Sequence, residues 1–130
     1  MNKKTINYPV ELALALLGDK WKIIILCQLF KGTKRFSEIF HSISNINQKM
    51  LTQQLRALEE DGFVIRKIFP EVPPRVEYTI TPLGRSLHPV IEALFDWAMD
   101  NKEHFTSKYD INIDPNLKLN HGNQVGISLE

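Results

Sequence analysis

The sequence lacks the features that define disulfide-bonded, zinc-binding and membrane-spanning proteins. Among its 130 residues a single cysteine, Cys27, cannot close an internal disulfide, and no Cys or His residues have the spacing that zinc requires. The longest uninterrupted apolar run, 12–17, is far shorter than the roughly 18 residues of a membrane-spanning helix. We therefore expect a cytoplasmic protein with no membrane span, no metal and no other cofactor.

Motifs of enzyme chemistry are also missing. The four histidines are scattered without ligand spacing, and the sequence has no glycine-rich loop of the kind that binds phosphate. Three consecutive acids at 59–61 have no partner base or nucleophile, so we expect them to form a solvated helix end. An enzyme is therefore the least favoured class of function.

What the chain does contain is enough apolar residues for one domain and an uneven charge distribution. It is 43% hydrophobic and 24% charged, as ordinary globular proteins are. Residues 1–85 carry 13 basic and 8 acidic side chains, whereas residues 86–130 carry 3 and 7. A basic body with an acidic remainder is typical of proteins that bind polyanions, although many solvated surfaces show a similar split.

The apolar pattern predicts a mainly α-helical fold with a small β-hairpin. Pro9 opens a first helix that is apolar at nearly every position up to Leu17, so we expect a second subunit to cover part of it. Asp19 caps a second helix that runs to about Phe30. The next predicted elements are a short strand at 35–36, helices over 37–43 and 48–61, and hairpin strands over 63–69 and 75–80.

From residue 81 onward, the sequence pattern predicts an interrupted helix followed by a tail. Thr81-Pro82 has the cap and first-turn pattern of a long helix, and Pro89 inside it predicts a kink or break near His88. Apolar periodicity ends after Phe105. We therefore assign residues 1–105 to one domain that includes the dimerisation helices, and 106–130 to a loosely packed tail.

Two short helices joined by a polar turn and followed by a basic hairpin are typical of a winged helix-turn-helix domain. In the helix predicted over 48–61, leucines form an inner face and the opposite face is polar and cationic. Such a face fits the major groove of double-stranded DNA, where Gln pairs with adenine and Arg or Lys with guanine or phosphate. The candidate recognition residues are Asn47, Gln48, Lys49, Thr52, Gln53 and Arg56, and the candidate phosphate and wing contacts are Arg35, Arg66, Lys67 and Arg75.

Several motifs of this chain occur together in one family. They lie at 48–62, at 70–78 and at Thr81-Pro82-Leu83-Gly84, and the stretches 9–11 and 18–21 fit the two helices that precede them. Over residues 8 to about 100 the chain resembles the HxlR family of bacterial winged-helix transcriptional regulators, relatives of the MarR type. The resemblance implies a homodimer that binds an inverted-repeat operator, with repression as the common mode of action.

The resemblance also implies that the first and last helices join the two subunits. The residues agree, because these helices offer more apolar surface than a single core of this size needs. Packing within one subunit is the alternative interpretation. The candidate dimerisation residues are Val10, Leu14, Leu17, Leu87, Ile91, Leu94 and Trp97.

One feature departs from the family. Many members sense oxidants through a cysteine directly before the Pro-Val of the first helix, where this chain has Tyr8, so the redox role does not carry over. Cys27 is the remaining thiol, and its apolar surroundings favour a packing role over a sensor. A small-molecule effector near Tyr8 is left open as an alternative, although packing is the commoner role of a tyrosine.

Three hypotheses follow for function. A dimeric, sequence-specific regulator predicts salt-dependent DNA affinity that is weakened by removing the charge of Lys49, Arg56 or Arg75. A winged-helix module for protein contacts would use the same cationic face to bind an acidic partner. The third hypothesis adds a ligand or redox response to the first.

Overall fold

The chain folds into six α-helices and a small antiparallel sheet, as shown by a computed structural model that describes residues 3–119. The helices are α1 (Pro9–Leu17), α2 (Lys20–Leu29), α3 (Phe36–Ser42), α4 (Gln48–Glu60), α5 (Pro82–Arg85) and α6 (His88–Asn101), followed by a 3-10 helix (Lys102–Phe105). The strands are β1 (Lys34–Arg35), β2 (Val64–Phe69) and β3 (Arg75–Ile80). The predicted mainly α-helical fold with a hairpin is confirmed. No helix within 3–119 is long and apolar enough to cross a membrane.

The sheet has the order β1-β3-β2, with β3 at its centre. The β2–β3 hairpin is in register from Val64 opposite Ile80 to Phe69 opposite Arg75. The short first strand lies one residue earlier than predicted, because Phe36 already begins α3. The backbone N–H of Arg35 donates to Glu38 Oε1 at 2.8 Å and so fixes that helix start.

The core is built around α2, which contacts α1, α3, α4 and β3. Ile25, Leu26 and Leu29 of α2 are buried, as is Phe30 directly after it. Trp21, in the first turn of α2, is partly buried and packs against this core. Because neighbours surround α2 on several sides, its buried face is wider than one helical stripe. The predicted inner face of α4 is confirmed, since Leu51, Leu55 and Leu58 are all buried.

The predicted break in the last helix is confirmed. Thr81 caps α5 by accepting a hydrogen bond of 3.0 Å from the Gly84 N–H, and α5 ends at Arg85. A new helix, α6, begins at His88 with Pro89 in its first turn, where a missing N–H costs no helical hydrogen bond.

The first helix is only partly covered by the rest of the chain. None of its residues is buried, and Val10 and Leu14 expose 68% and 63% of their surface. In the predicted tail, residues 106–119 contain no helix or strand, and Leu119 is buried. The rest of that tail, 120–130, lies outside the described residues.

Candidate nucleic-acid interface

The outer face of α4 carries most of the predicted recognition residues. Because the leucines of the inner face are buried, the opposite face of α4 points into solvent. It exposes Gln48, Lys49, Gln53 and Arg56, and Thr52 beside them is partly buried. This face contains amide and cationic groups and no acid before Glu59. It therefore has the donor and acceptor groups that read base edges in a major groove.

Asn47 has a different role from the other five. Its side-chain Oδ1 accepts a hydrogen bond of 2.8 Å from the Met50 backbone N–H, so it caps α4. The cap fixes where the helix begins and therefore where its first exposed side chains lie.

Gln54 was not predicted as a functional residue, although its side chain connects α4 to the start of α2. Its Nε2 donates to Asp19 Oδ2 at 3.2 Å, and Oδ1 of the same carboxylate accepts from the Trp21 N–H at 2.7 Å. One aspartate thus caps α2 and holds α4. The position of Gln54 between the two faces of α4 was visible in the sequence, but its partner 35 residues away was not.

Arg66 lies between α4 and the hairpin. Its Nε is 3.5 Å from Glu59 Oε1, and both side chains are about 40% exposed, at 42% and 38%. Glu60 and Asp61 are exposed at the end of α4, as expected, and Glu59 is half-buried because the hairpin folds back against that part of the helix. Beneath the pair, burial raises the pKa of the Tyr78 hydroxyl, an effect that Arg66 opposes.

At the wing, Arg75 has three neighbours within the hairpin. Its Nη1 is 3.1 Å from Glu71 Oε2, its Nε is 3.2 Å from Glu77 Oε2, and its guanidinium carbon lies 4.0 Å from the centre of the Phe69 ring. Lys67 Nζ lies 5.0 Å from the centre of the same ring. The sequence predicted Arg75 as a phosphate contact, but its positive charge is already paired with the carboxylates of Glu71 and Glu77.

Arg35 is exposed just before α3. Within residues 3–119, no carboxylate oxygen lies within 4.0 Å of its guanidinium nitrogens. It lines an open cleft of about 430 Å³ that the start of α3 shares with the wing tip, including Glu71, Val72 and Arg75.

The predicted dimerisation residues divide into two sets. Val10, Leu14, Leu94 and Trp97 are exposed, the last two by 57% and 61%. Ile91 is only 2% exposed and belongs to the core, so its prediction as a contact with a partner is corrected. The reason is that α6 has two apolar faces, since positions 87, 91 and 95 point inward while 90, 94 and 97 point outward. Leu17 and Leu87 are partly buried against the core.

Cys27 is partly buried in α2. Burial raises the pKa of its thiol to about 11, and the nearby positive charge of Lys31 opposes this shift only in part. The thiol is therefore protonated at neutral pH, which makes it a poor nucleophile. Across residues 3–119, no three His, Cys, Asp or Glu side chains are grouped to hold a metal ion.

Helices α3 and α4 with their polar turn, and the β2–β3 hairpin beside them, define a winged helix-turn-helix protein. The model of the HxlR-like helix-turn-helix family matches residues 16–106. The HTH-type transcriptional regulator YtcD of Bacillus subtilis (strain 168) is 48% identical over 101 residues, which are 78% of this chain and 80% of that relative.

Two further proteins support the same assignment. An HTH-type transcriptional regulator of Methanothermobacter thermautotrophicus is 50% identical over 89 residues, 68% of each chain. Among solved structures, the redox regulator HypR in its reduced form aligns with a TM-score of 0.73 at 42% identity, covering 77% of this chain and 99% of that one. The chain therefore belongs to the HxlR-like helix-turn-helix family of transcriptional regulators, as the resemblance of its motifs predicted.

Proposed function

We propose that this protein binds double-stranded DNA sequence-specifically as a homodimer. Each subunit would place α4 in the major groove of one half of an inverted repeat, with the two halves about one helical turn apart. The observation that carries the proposal is the outer face of α4, where Gln48, Lys49, Gln53 and Arg56 are exposed on a helix that its buried leucines hold in place.

The cations around α4 support this geometry. Arg35 before α3 and Lys67 on the hairpin are exposed, so we assign them to DNA phosphates. Arg66 is also exposed, but it must share its charge with Glu59. Phosphate contacts of this kind fix the register of the protein on the duplex, while α4 reads the bases.

The exposed apolar faces of α1 and α6 support the proposal that a second subunit covers them. The set that we assign to the dimer interface is Val10, Leu14, Val90, Leu94 and Trp97, all of which are at least half exposed. An exposed apolar surface of this kind usually marks a protein contact, and two copies of one chain give the symmetry that an inverted repeat requires. Leu17 and Leu87 would lie at its edge.

Three further properties complete the proposal. We assign repression as the mode of action on the basis of the family resemblance, and the cytoplasm as the location because the DNA target lies there. We assign no catalytic activity, since the exposed polar groups fit nucleic-acid recognition.

A redox response is not part of the proposal. HypR is named a redox regulator, but this chain has Tyr8 before Pro9 and its Cys27 has a raised pKa. A small-molecule effector is the remaining alternative for the signal. Tyr8 borders an open cleft along α1 together with Val10, Glu11 and Leu14, and this cleft would adjoin the second subunit.

Selection of bound duplexes from a random-sequence library tests the proposal. We expect an inverted repeat to be enriched, and we expect Lys49→Gln to bind it more weakly and with a shallower dependence on salt. Lys108→Gln is the matched control, because Lys108 is an exposed lysine beyond the winged helix-turn-helix. Enrichment of no sequence would contradict sequence-specific binding and favour the alternative of a protein-contact module.

A further inference from the structure

The tip of the wing is held by side chains more than by backbone hydrogen bonds. The tip, 70–74, contains three prolines, and a proline has no N–H to donate. Arg75 lies directly after the tip and reaches back to Glu71 inside it, while Glu77 contacts the same guanidinium from β3. Phe69, its partner in the strand register, lies beneath the guanidinium. Arg75 therefore connects both ends of the tip.

The charge of this cluster argues against a phosphate contact by Arg75. Lys67 and Arg75 contribute two positive charges to the outer face of the hairpin, and Glu71 and Glu77 contribute two negative charges. DNA affinity gains from cations that neutralise phosphates and release their counterions. A guanidinium already matched by two carboxylates contributes little to this effect, and a phosphate placed there would meet both acids.

Arg35 lies in the same cleft and is the alternative residue for a phosphate contact. It is exposed beside the start of α3 and pairs with Glu77 in the sheet register, yet no carboxylate oxygen within residues 3–119 lies within 4.0 Å of its guanidinium nitrogens. Val72 lies in the middle of the tip, lines the same cleft and is fully exposed, at 101%. Proteins that bind the DNA minor groove place apolar side chains against its base steps as well as cationic ones.

We propose that Arg75 is a positioning residue, which holds the wing tip so that Val72 contacts duplex DNA, while Arg35 makes the phosphate contact on this side. This inference rests on the proposed function. It assigns the two arginines opposite roles, although both were predicted as phosphate contacts from the sequence.

Four variants separate these roles when their affinity for the selected inverted-repeat duplex is measured by fluorescence anisotropy across a salt series. Arg35→Gln is expected to lower the slope of log affinity against log salt by about two per dimer, one phosphate for each subunit. Arg75→Gln is expected to weaken binding about tenfold with an unchanged slope. Arg75→Lys is expected not to restore affinity, because a lysine keeps the charge but cannot bridge two carboxylates and stack on Phe69.

Glu71→Gln gives the sharpest result, because the two roles predict opposite signs. If Arg75 positions the tip, loss of its ion pair with Glu71 weakens binding even though a negative charge near the DNA is removed. If Arg75 binds phosphate, the same variant frees its charge and tightens binding. Hydroxyl-radical footprints should lose protection at the flanks contacted by the wing. Thermal unfolding of each variant shows whether it is folded.

The proposal is overturned if Arg75→Gln lowers the salt slope as Arg35→Gln does, if Arg75→Lys restores affinity, or if Glu71→Gln tightens binding. Unchanged affinity of the folded Arg75→Gln variant would overturn it as well. These outcomes leave the proposed function intact, since they compare variants with a wild-type protein that binds. A wild-type protein that prefers no duplex would instead overturn the proposed function, and this inference with it.

Discussion

Gln54 donates a hydrogen bond to Asp19 across 3.2 Å, and this contact joins the middle of α4 to the first turn of α2. Because α2 forms the centre of the core, the contact ties the position of the proposed recognition helix to the most buried helix of the domain. The amide oxygen of Gln54, Oε1, is buried without a hydrogen-bond partner. Loss of the aspartate would thus leave a largely buried amide with no partner on either side.

Asp19→Ala is expected to lower the free energy of unfolding by about 2 kcal/mol. It removes the cap of α2 and the acceptor of Gln54 at once. Urea unfolding followed by circular dichroism measures the change. Asp19→Asn is the matched control, because asparagine caps about as well and Gln54 can rotate its amide to accept from it. Equal stability of the alanine variant and wild type would contradict this role.

Leu94→Glu is expected to separate the dimer. A carboxylate in the outward face of α6 would be buried without a partner when two subunits meet. Sedimentation equilibrium should change from twice 15.0 kDa for the wild type to 15.0 kDa for the variant.

Leu117→Glu is the control for that experiment, since Leu117 is also exposed but lies in the segment after the helices. It should leave the mass of the dimer unchanged. A wild-type protein of 15.0 kDa would contradict the proposed interface, as would a Leu94→Glu variant that remains dimeric.

Native Cys27 is expected to react slowly with thiol reagents. With its pKa raised from 9.0 to about 11, only about a thousandth of it is thiolate at pH 8, against about a tenth in the unfolded chain. Labelling with iodoacetamide should therefore be about a hundredfold slower in the native protein than in urea. Equal rates would show that the thiol is available and reopen the redox alternative.

The same shift predicts a change of stability with pH. Below pH 9 the thiol is protonated in both states, so its contribution to stability is fully present. As the pH rises from 9 to 11, the unfolded state ionises while the native thiol does not, and the free energy of unfolding falls. Cys27→Ala should lack this component when the two proteins are compared by urea unfolding at pH 8 and pH 10.5. Parallel pH profiles for the two proteins would contradict the burial of Cys27.

Gly84→Ala is expected to destabilise the domain by about 1–3 kcal/mol, because the added methyl group would meet the Phe63 carbonyl oxygen and would lie 2.6 Å from Ile80 Cγ1. Thermal unfolding measures the effect. Gln53→Ala on the exposed face of α4 is the control and should change stability by less than about 0.5 kcal/mol. An unchanged midpoint for Gly84→Ala would mean that this packing is looser than described.

The helices and the hairpin could be predicted because their signals are local. Asp19 and Thr81 are caps that mark helix starts, and both accept a backbone hydrogen bond where the sequence placed them. The break before His88 follows from the chemistry of Pro89 alone. Such features need only neighbouring residues.

The pairing of charges could not be predicted in the same way. Arg66 meets Glu59 and Arg75 meets Glu77 only because of how the hairpin folds and in which register. The burial of Ile91 likewise depends on how α6 rotates against the core, which a wide apolar stripe does not specify. The exposure of the outer face of α4 could therefore be predicted from the sequence, while the availability of the individual cations required the structure.

Whether the protein reads DNA sequence is decided by comparing its binding to two duplexes. Fluorescence anisotropy would measure wild-type binding to a duplex from the region upstream of its own gene and to a scrambled duplex of equal composition, each across a salt series. We expect a preference of about a thousandfold or more for the upstream duplex, with a steep dependence on salt. Weak and equal binding to both duplexes, and equally weak binding to a duplex obtained by selection, would show that the protein does not read sequence.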